Sequence, residues 1–181
     1  MITSLETRHF FFPVLVALST IGASLALLPA SSGQAAGDAS PVFVDKIPRG
    51  YRDWKFISVA REEGELDDIR AILGNDSALA AFRQNKLPFP EGAIIARLAW
   101  SYGPSELNNK AFGRAQSFVP GAPKNGIQFM VKDSKKYAAT GGWGYGHFVD
   151  GKLAEEKLLK TCYPCHRATE ANDFVFTRYS P

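Results

Sequence analysis

The sequence predicts an α+β domain: a sheet of modest strands with a few short helices, the last of them near the C-terminus. Three observations predict it. Short runs of alternating polarity, clearest in "AIIARLAW", lie between turns rich in Gly, Pro and Asp. "NDSALAAFRQN" carries cap residues ahead of an apolar helical spacing. "LAEEKLLKTC" reads as the clearest helix and runs into the only two cysteines. At 181 residues and 45% apolar content the chain suits one domain with a packed core and a processed segment.

The chain begins with a short polar stretch carrying Arg8 and His9, then an uncharged apolar run from Phe10 to Leu28, then small residues. That order is an export-signal pattern, with Gly33-Gln34-Ala35 as the peptidase site. The rival is an uncleaved anchor, since the run is about long enough to span a bilayer; small residues without a basic stop favour cleavage. Residues 1–35 are therefore expected to be removed on export to the periplasm. Residues 36–46 read as a tether and 47–181 as the folded domain, with no membrane contact after processing. The charges, 21 basic against 18 acidic, are nearly balanced, and no basic run stands out. Nucleic acid is thus excluded as a partner.

"YRDWKFISVA" mixes Tyr51, Trp54, Phe56 and Val59 with polar positions in a β-like way, before the polar turn "REEGELDD". "IRAIL" is the next strand, and Asn75 to Ser77 supply caps for the helix carrying Leu79 and Phe82. After the loop "LPFPEG", period two places Ile94, Ala96, Leu98 and Trp100 on one face and Ile95, Arg97 and Ala99 on the other. "SYGPSELNNKAFGRAQSFVPGAPKNG" reads as a surface excursion. "IQFMV" is a strand, "KDSKKYAATGG" a short helix, and "GWGYGHFVDGK" a strand ending in an Asp-Gly turn.

Cys162, Cys165 and His166 in "TCYPCH" carry the chemistry. Helical positions three and four apart share a face. Two sulfurs at that spacing can reach the two vinyl groups along one haem edge, and the following imidazole can turn to the iron. Leu158 leads into the motif one turn earlier, and Pro164 is expected to break the helix between the cysteines. Three alternatives compete. A zinc site wants four ligands, and outside the signal only His147 could join these residues. A redox dithiol normally opens a helix after an early strand, whereas this motif follows a helix near the chain's end. A disulfide across a two-residue gap is strained.

A haem that only carries electrons usually has two protein ligands. Met130 and His147 are the candidates for a sixth ligand. Met130 in "GIQFMV" reads first as core, and His147 as a hydrogen-bonded strand residue, which favours an open iron position.

The flanking sequence resembles the cytochrome P-460 family, which includes the true P-460 cytochromes and cytochromes c′-β. The resemblance runs from about Ile47 to the C-terminus on "IPRGYRDWKFISV", "DDIRAIL", "LPFPEGAIIARLAW", "MVKDSKKYA", "GWGYGHFV", "CYPCH" and "NDFVFTRYSP". It implies a predominantly antiparallel β-sheet, a homodimer, and one covalent haem c per chain in the periplasm. The haem would sit on the C-terminal helical segment, with His166 as proximal ligand and an open distal side. Members that oxidise hydroxylamine join a lysine to the porphyrin; the matching position here is Arg97, whose guanidinium stays protonated and is a poor nucleophile. A distal carboxylate of the family aligns with Gln128, an amide that cannot act as a base. Arg70 matches a distal arginine, and Phe56 and Phe82 fall where cytochromes c′-β place a phenylalanine cap.

Three functions follow: a binder of nitric oxide, an oxidoreductase acting on hydroxylamine or nitric oxide, or an electron carrier working with a redox partner protein. Arg97 and Gln128 favour the binder, while Asp173 or a remote carboxylate would serve the enzyme.

Overall fold

The computed structural model describes residues 43–180; the signal and most of the tether lie outside them. Six strands form one antiparallel sheet in chain order: β1 (Lys55–Glu62), β2 (Asp68–Gly74), β3 (Ile94–Pro104), β4 (Phe118–Lys132), β5 (Trp143–Val149) and β6 (Lys152–Leu153). Each strand pairs with its sequence neighbour, so the sheet is a meander built from local connections. Helix α1 (Asp76–Gln84) joins β2 to β3, and α2 (Glu106–Phe112) tips the β3–β4 hairpin. Two short helices, α3 (Glu156–Leu159) and α4 (Cys162–His166), follow β6 and lead into a 3-10 segment, Arg167–Asn172. The α+β fold with a dominant antiparallel sheet is as expected.

The alternation in β3 divides the core. On one face Ala96 and Leu98 pack with Val44, Phe129, Tyr137 and Phe148. On the other, Ile95 joins Ile72, Phe82, Trp143, Tyr145 and Phe174, under α1 and the C-terminal segment. Trp143, Phe129 and Ile57 are fully buried, and each contributes roughly 1.5–3 kcal/mol through its removal from water. Helix α1 starts at Asn75, whose Oδ1 accepts from Ala78 N at 3.0 Å and from Ile94 N at 3.1 Å. One side chain thus caps the helix and ties it to β3.

Tyr51–Asp53, expected to be β-like, form a 3-10 turn, and β1 begins at Lys55; three longer stretches also depart from expectation. The Gly- and Pro-rich run from Ser101 to Gly126 is exposed, but it is ordered: β3 continues to Pro104, Ser105 caps α2, and β4 starts at Phe118. Its prolines pair at register shifts, Pro123 with Trp100 and Pro120 with Tyr102, where a missing N–H does least harm to the ladder. "KDSKKYAATGG" is a turn, not a helix. Asp133 Oδ1 accepts from Lys135 N and Lys136 N, and only Ala138–Thr140 turn as a 3-10 segment before two left-handed glycines.

The third departure concerns the motif. The long helix expected across "LAEEKLLKTC" is one turn, α3, followed by an interruption at Lys160 and Thr161. Pro164 has no N–H to offer the carbonyl of Lys160 four residues earlier, and its ring crowds that carbonyl. The break therefore falls one turn before the proline, not between the cysteines. Pro164 itself lies in the first turn of α4, where backbone N–H groups lack intrahelical partners anyway. Cys162, Cys165 and His166 share a single unbroken helical turn.

Candidate functional site

Cys162 and Cys165 stand as free thiols, the first partly buried against the α1-side core and the second exposed. Burial pushes the Cys162 thiol up from its ordinary value. His166 lies between two aromatic rings, Tyr145 at 5.0 Å and the exposed Phe176 at 5.1 Å between centroids. Its Nδ1 is 2.7 Å from the backbone oxygen of Phe174. A carbonyl only accepts, so Nδ1 carries the proton and Nε2 keeps its lone pair. Burial lowers the imidazole below its ordinary value, and the hydrogen bond to Phe174 only partly opposes this. The side chain is therefore neutral near pH 7, with one nitrogen oriented and the other available as a ligand.

The strand register assembles the remaining candidates. Arg97 on β3 lies opposite Gln128 on β4, which lies opposite His147 on β5. The adjacent row on this face is Ile95, Met130 and Tyr145, one pleat repeat away, roughly 7 Å. Since Tyr145 touches His166, the row of Arg97, Gln128 and His147 is on the sheet face that the motif covers. Arg70 shares that face through β2, being laterally paired with Ala99, two residues from Arg97.

A residue absent from the sequence reading organises the polar end of this face. Asp68 is fully buried. Its Oδ1 accepts from Arg70 Nε at 2.7 Å, and its Oδ2 accepts from Arg97 Nη2 at 2.5 Å. Arg70 reaches Glu62 as well, at 3.3 Å. One further nitrogen on each guanidinium, Arg70 Nη2 and Arg97 Nη1, is buried without a protein partner. Burial first, then the charge of Arg70, lowers the Arg97 pKa, yet a guanidinium so placed stays charged. The signal in the sequence was the spacing of Asp68 and Arg70, two apart and so on one face of a strand.

His147 is buried, its Nε2–H donating to Asn125 O at 2.8 Å, and burial lowers its pKa, with Arg97 adding to the effect. Met130 packs partly buried against the α1-side core. Phe82 is in that core too, edge-on to Phe89 at 4.9 Å. Phe56 pairs with Leu73, which packs with the opposite cluster, and its side chain is 50% exposed. Asp173 is buried and ion-paired with Lys132. A cavity of about 480 Å³ opens beside Tyr51 and Trp100, and another, of about 550 Å³, lies between Phe82 and Tyr179. Neither includes the motif.

The donor set fits a haem. Two unpaired thiols and an oriented neutral imidazole occupy one helical turn beside aromatic surface, and buried cations without full partners lie on the facing sheet. These are the features of a haem-binding domain. Comparison with known families gives the same class: the cytochrome P460 profile matches residues 48–177. The chain belongs to the cytochrome P460 family, and membership implies a haem cofactor. No curated protein matches it.

Proposed function

We propose that Cys162 and Cys165 hold one haem through thioether bonds, that His166 Nε2 is its proximal ligand, and that the protein binds a small ligand such as nitric oxide. Once bound, the haem would supply an iron able to take up that ligand. The observation that carries this reading is the hydrogen bond from His166 Nδ1 to Phe174 O, which fixes the tautomer a metal ligand needs. Export to the periplasm by removal of residues 1–35, and homodimer formation, complete the proposal and rest on the sequence pattern and the family resemblance.

Binding is favoured over turnover by the side chains on the covered face. An enzyme oxidising hydroxylamine needs a group that accepts protons. Gln128 is an amide, Arg70 and Arg97 are cations, and Asp173 is already bonded to Lys132. Asp68 supports the oxidoreductase as the second reading, because it is a buried carboxylate on the right face. Both of its oxygens, however, are already engaged by two arginines. The electron carrier would need Met130 or His147 at the iron, and His147 Nε2 is committed to Asn125.

The test is an optical spectrum of the reduced, exported protein, followed by nitric oxide titration and an assay with hydroxylamine and an electron acceptor. A covalently bound, five-coordinate haem that binds nitric oxide stoichiometrically without sustained hydroxylamine oxidation is expected. Sustained turnover would reverse the order of the first two readings, and a colourless protein would end all three.

A further inference from the structure

We infer that Lys132 and Asp173 are positioning residues for His166, acting through the carbonyl of Phe174. The inference deepens the haem reading and rests on His166 being the proximal ligand. Asp173 and Phe174 are consecutive residues with φ of 52° and 65°. Two adjacent non-glycine residues rarely adopt this left-handed backbone, and such a pair persists only when its surroundings hold it. Here they do. The Asp173 carboxylate accepts from Lys132 Nζ at 2.7 and 2.9 Å and from Phe89 N at 2.8 Å. Lys132 belongs to β4, so the anchor is part of the sheet. Its ammonium donates also to Gly141 O at 3.3 Å and lies 5.0 Å from the centre of the Trp143 ring.

The next residue is clamped from the other side. The Phe174 ring covers Gly141, where a Cβ would come within 2.3 Å of it, and faces Tyr163 at 5.7 Å. With its ring fixed and its neighbour tethered, Phe174 directs its carbonyl back to His166, eight residues earlier. A buried ion pair contributes little net stability compared with an apolar pair of similar volume. Its specific effect here is directional: it sets where one carbonyl points, and so how the imidazole is rotated and how basic its free nitrogen is. Partners of this kind, one bond behind a ligand, change ligand affinity roughly 10–100-fold when lost.

The test uses the haem-loaded protein with Lys132→Met, Asp173→Asn and the double variant, in which no single buried charge is stranded. The readouts are the iron–histidine stretching frequency of the ferrous protein, the midpoint potential and the thermal melt. We expect the stretch to fall and the potential to rise in the variants, because a less strongly hydrogen-bonded imidazole is a poorer donor. Lys132→Arg, which keeps the charge, should restore most of both. Lower melting temperatures with unchanged stretch and potential would overturn the inference and leave the pair purely structural. If a single variant does not fold, the double variant decides by the same two readouts. His166→Ala separates the two readings: if its spectrum keeps the parental axial signature, the proximal assignment fails, whereas loss of that signature with no effect at 132 and 173 defeats this inference alone.

Discussion

Asp68 shows what a residue-by-residue reading can miss. In "REEGELDD" it belongs to a polar run that reads as a turn, yet the fold buries it completely between two arginines. The pairing of β2 with β3 brings Arg97 beside Asp68, a partner that the two-residue spacing of Asp68 and Arg70 does not announce. Asp68→Ala leaves two part-buried guanidiniums facing each other, so unfolding in urea should show a loss of about 3–5 kcal/mol. The same carboxylate revises what a lysine at position 97 would do. Held beside Asp68, its ammonium stays protonated and is not nucleophilic. Arg97→Lys alone should leave the haem-peptide mass and absorption bands unchanged, whereas Arg97→Lys with Asp68→Asn should allow a porphyrin cross-link when peroxide is added as the two-electron oxidant, seen by mass spectrometry as the loss of two hydrogens. The motif residues were legible because their spacing is itself the chemistry. Arg97, Gln128 and Arg70 lie far apart in the sequence, and only the register shows that they share a face.

Elements were legible where local periodicity and burial coincide. The faces of β3 follow directly from "AIIARLAW", and α1 from its cap and apolar stripe. They were illegible where Gly and Pro suggested a loop although a register shift absorbs the prolines, as in the β3–β4 arm. The C-terminal helix is shorter than its sequence pattern suggests, since Pro164 removes the hydrogen bond that would continue it past Lys160. Pro164→Ala should join α3 to α4. The new amide at 164 would then exchange slowly with deuterium, protected by the Lys160 carbonyl. Fast exchange at that position would show that something other than proline interrupts the helix.

On the scale of the whole molecule, the meander keeps every sheet pairing between sequence neighbours, an order that the separate strand patterns do not announce. Stability should nevertheless depend on acidity through its buried and part-buried imidazoles, and His147 is the one outside the motif. Burial lowers the His147 pKa below the ordinary 6.5, so between those two values the unfolded chain binds a proton that the folded chain does not. Stability is full above the ordinary value and declines as the pH falls through it, levelling once the folded-state value is passed. His147→Gln should flatten that part of the curve in thermal melts taken between about pH 8 and about pH 5. An unchanged slope would show that His147 does not supply it.

Val44 closes the list of contacts that matter to the fold at large. It packs into the core of the face opposite the motif, its N–H donates to the Tyr145 carbonyl at 3.0 Å, and its Cβ lies 2.9 Å from where a side chain on Gly146 would begin. The strand bearing Tyr145 and His147 is thus stitched on one side by a residue that comes before all six described strands. Under the proposed export, the leader would have to be cut upstream of that stitch, since a cut beyond it would loosen the strand against which the histidine of the motif rests.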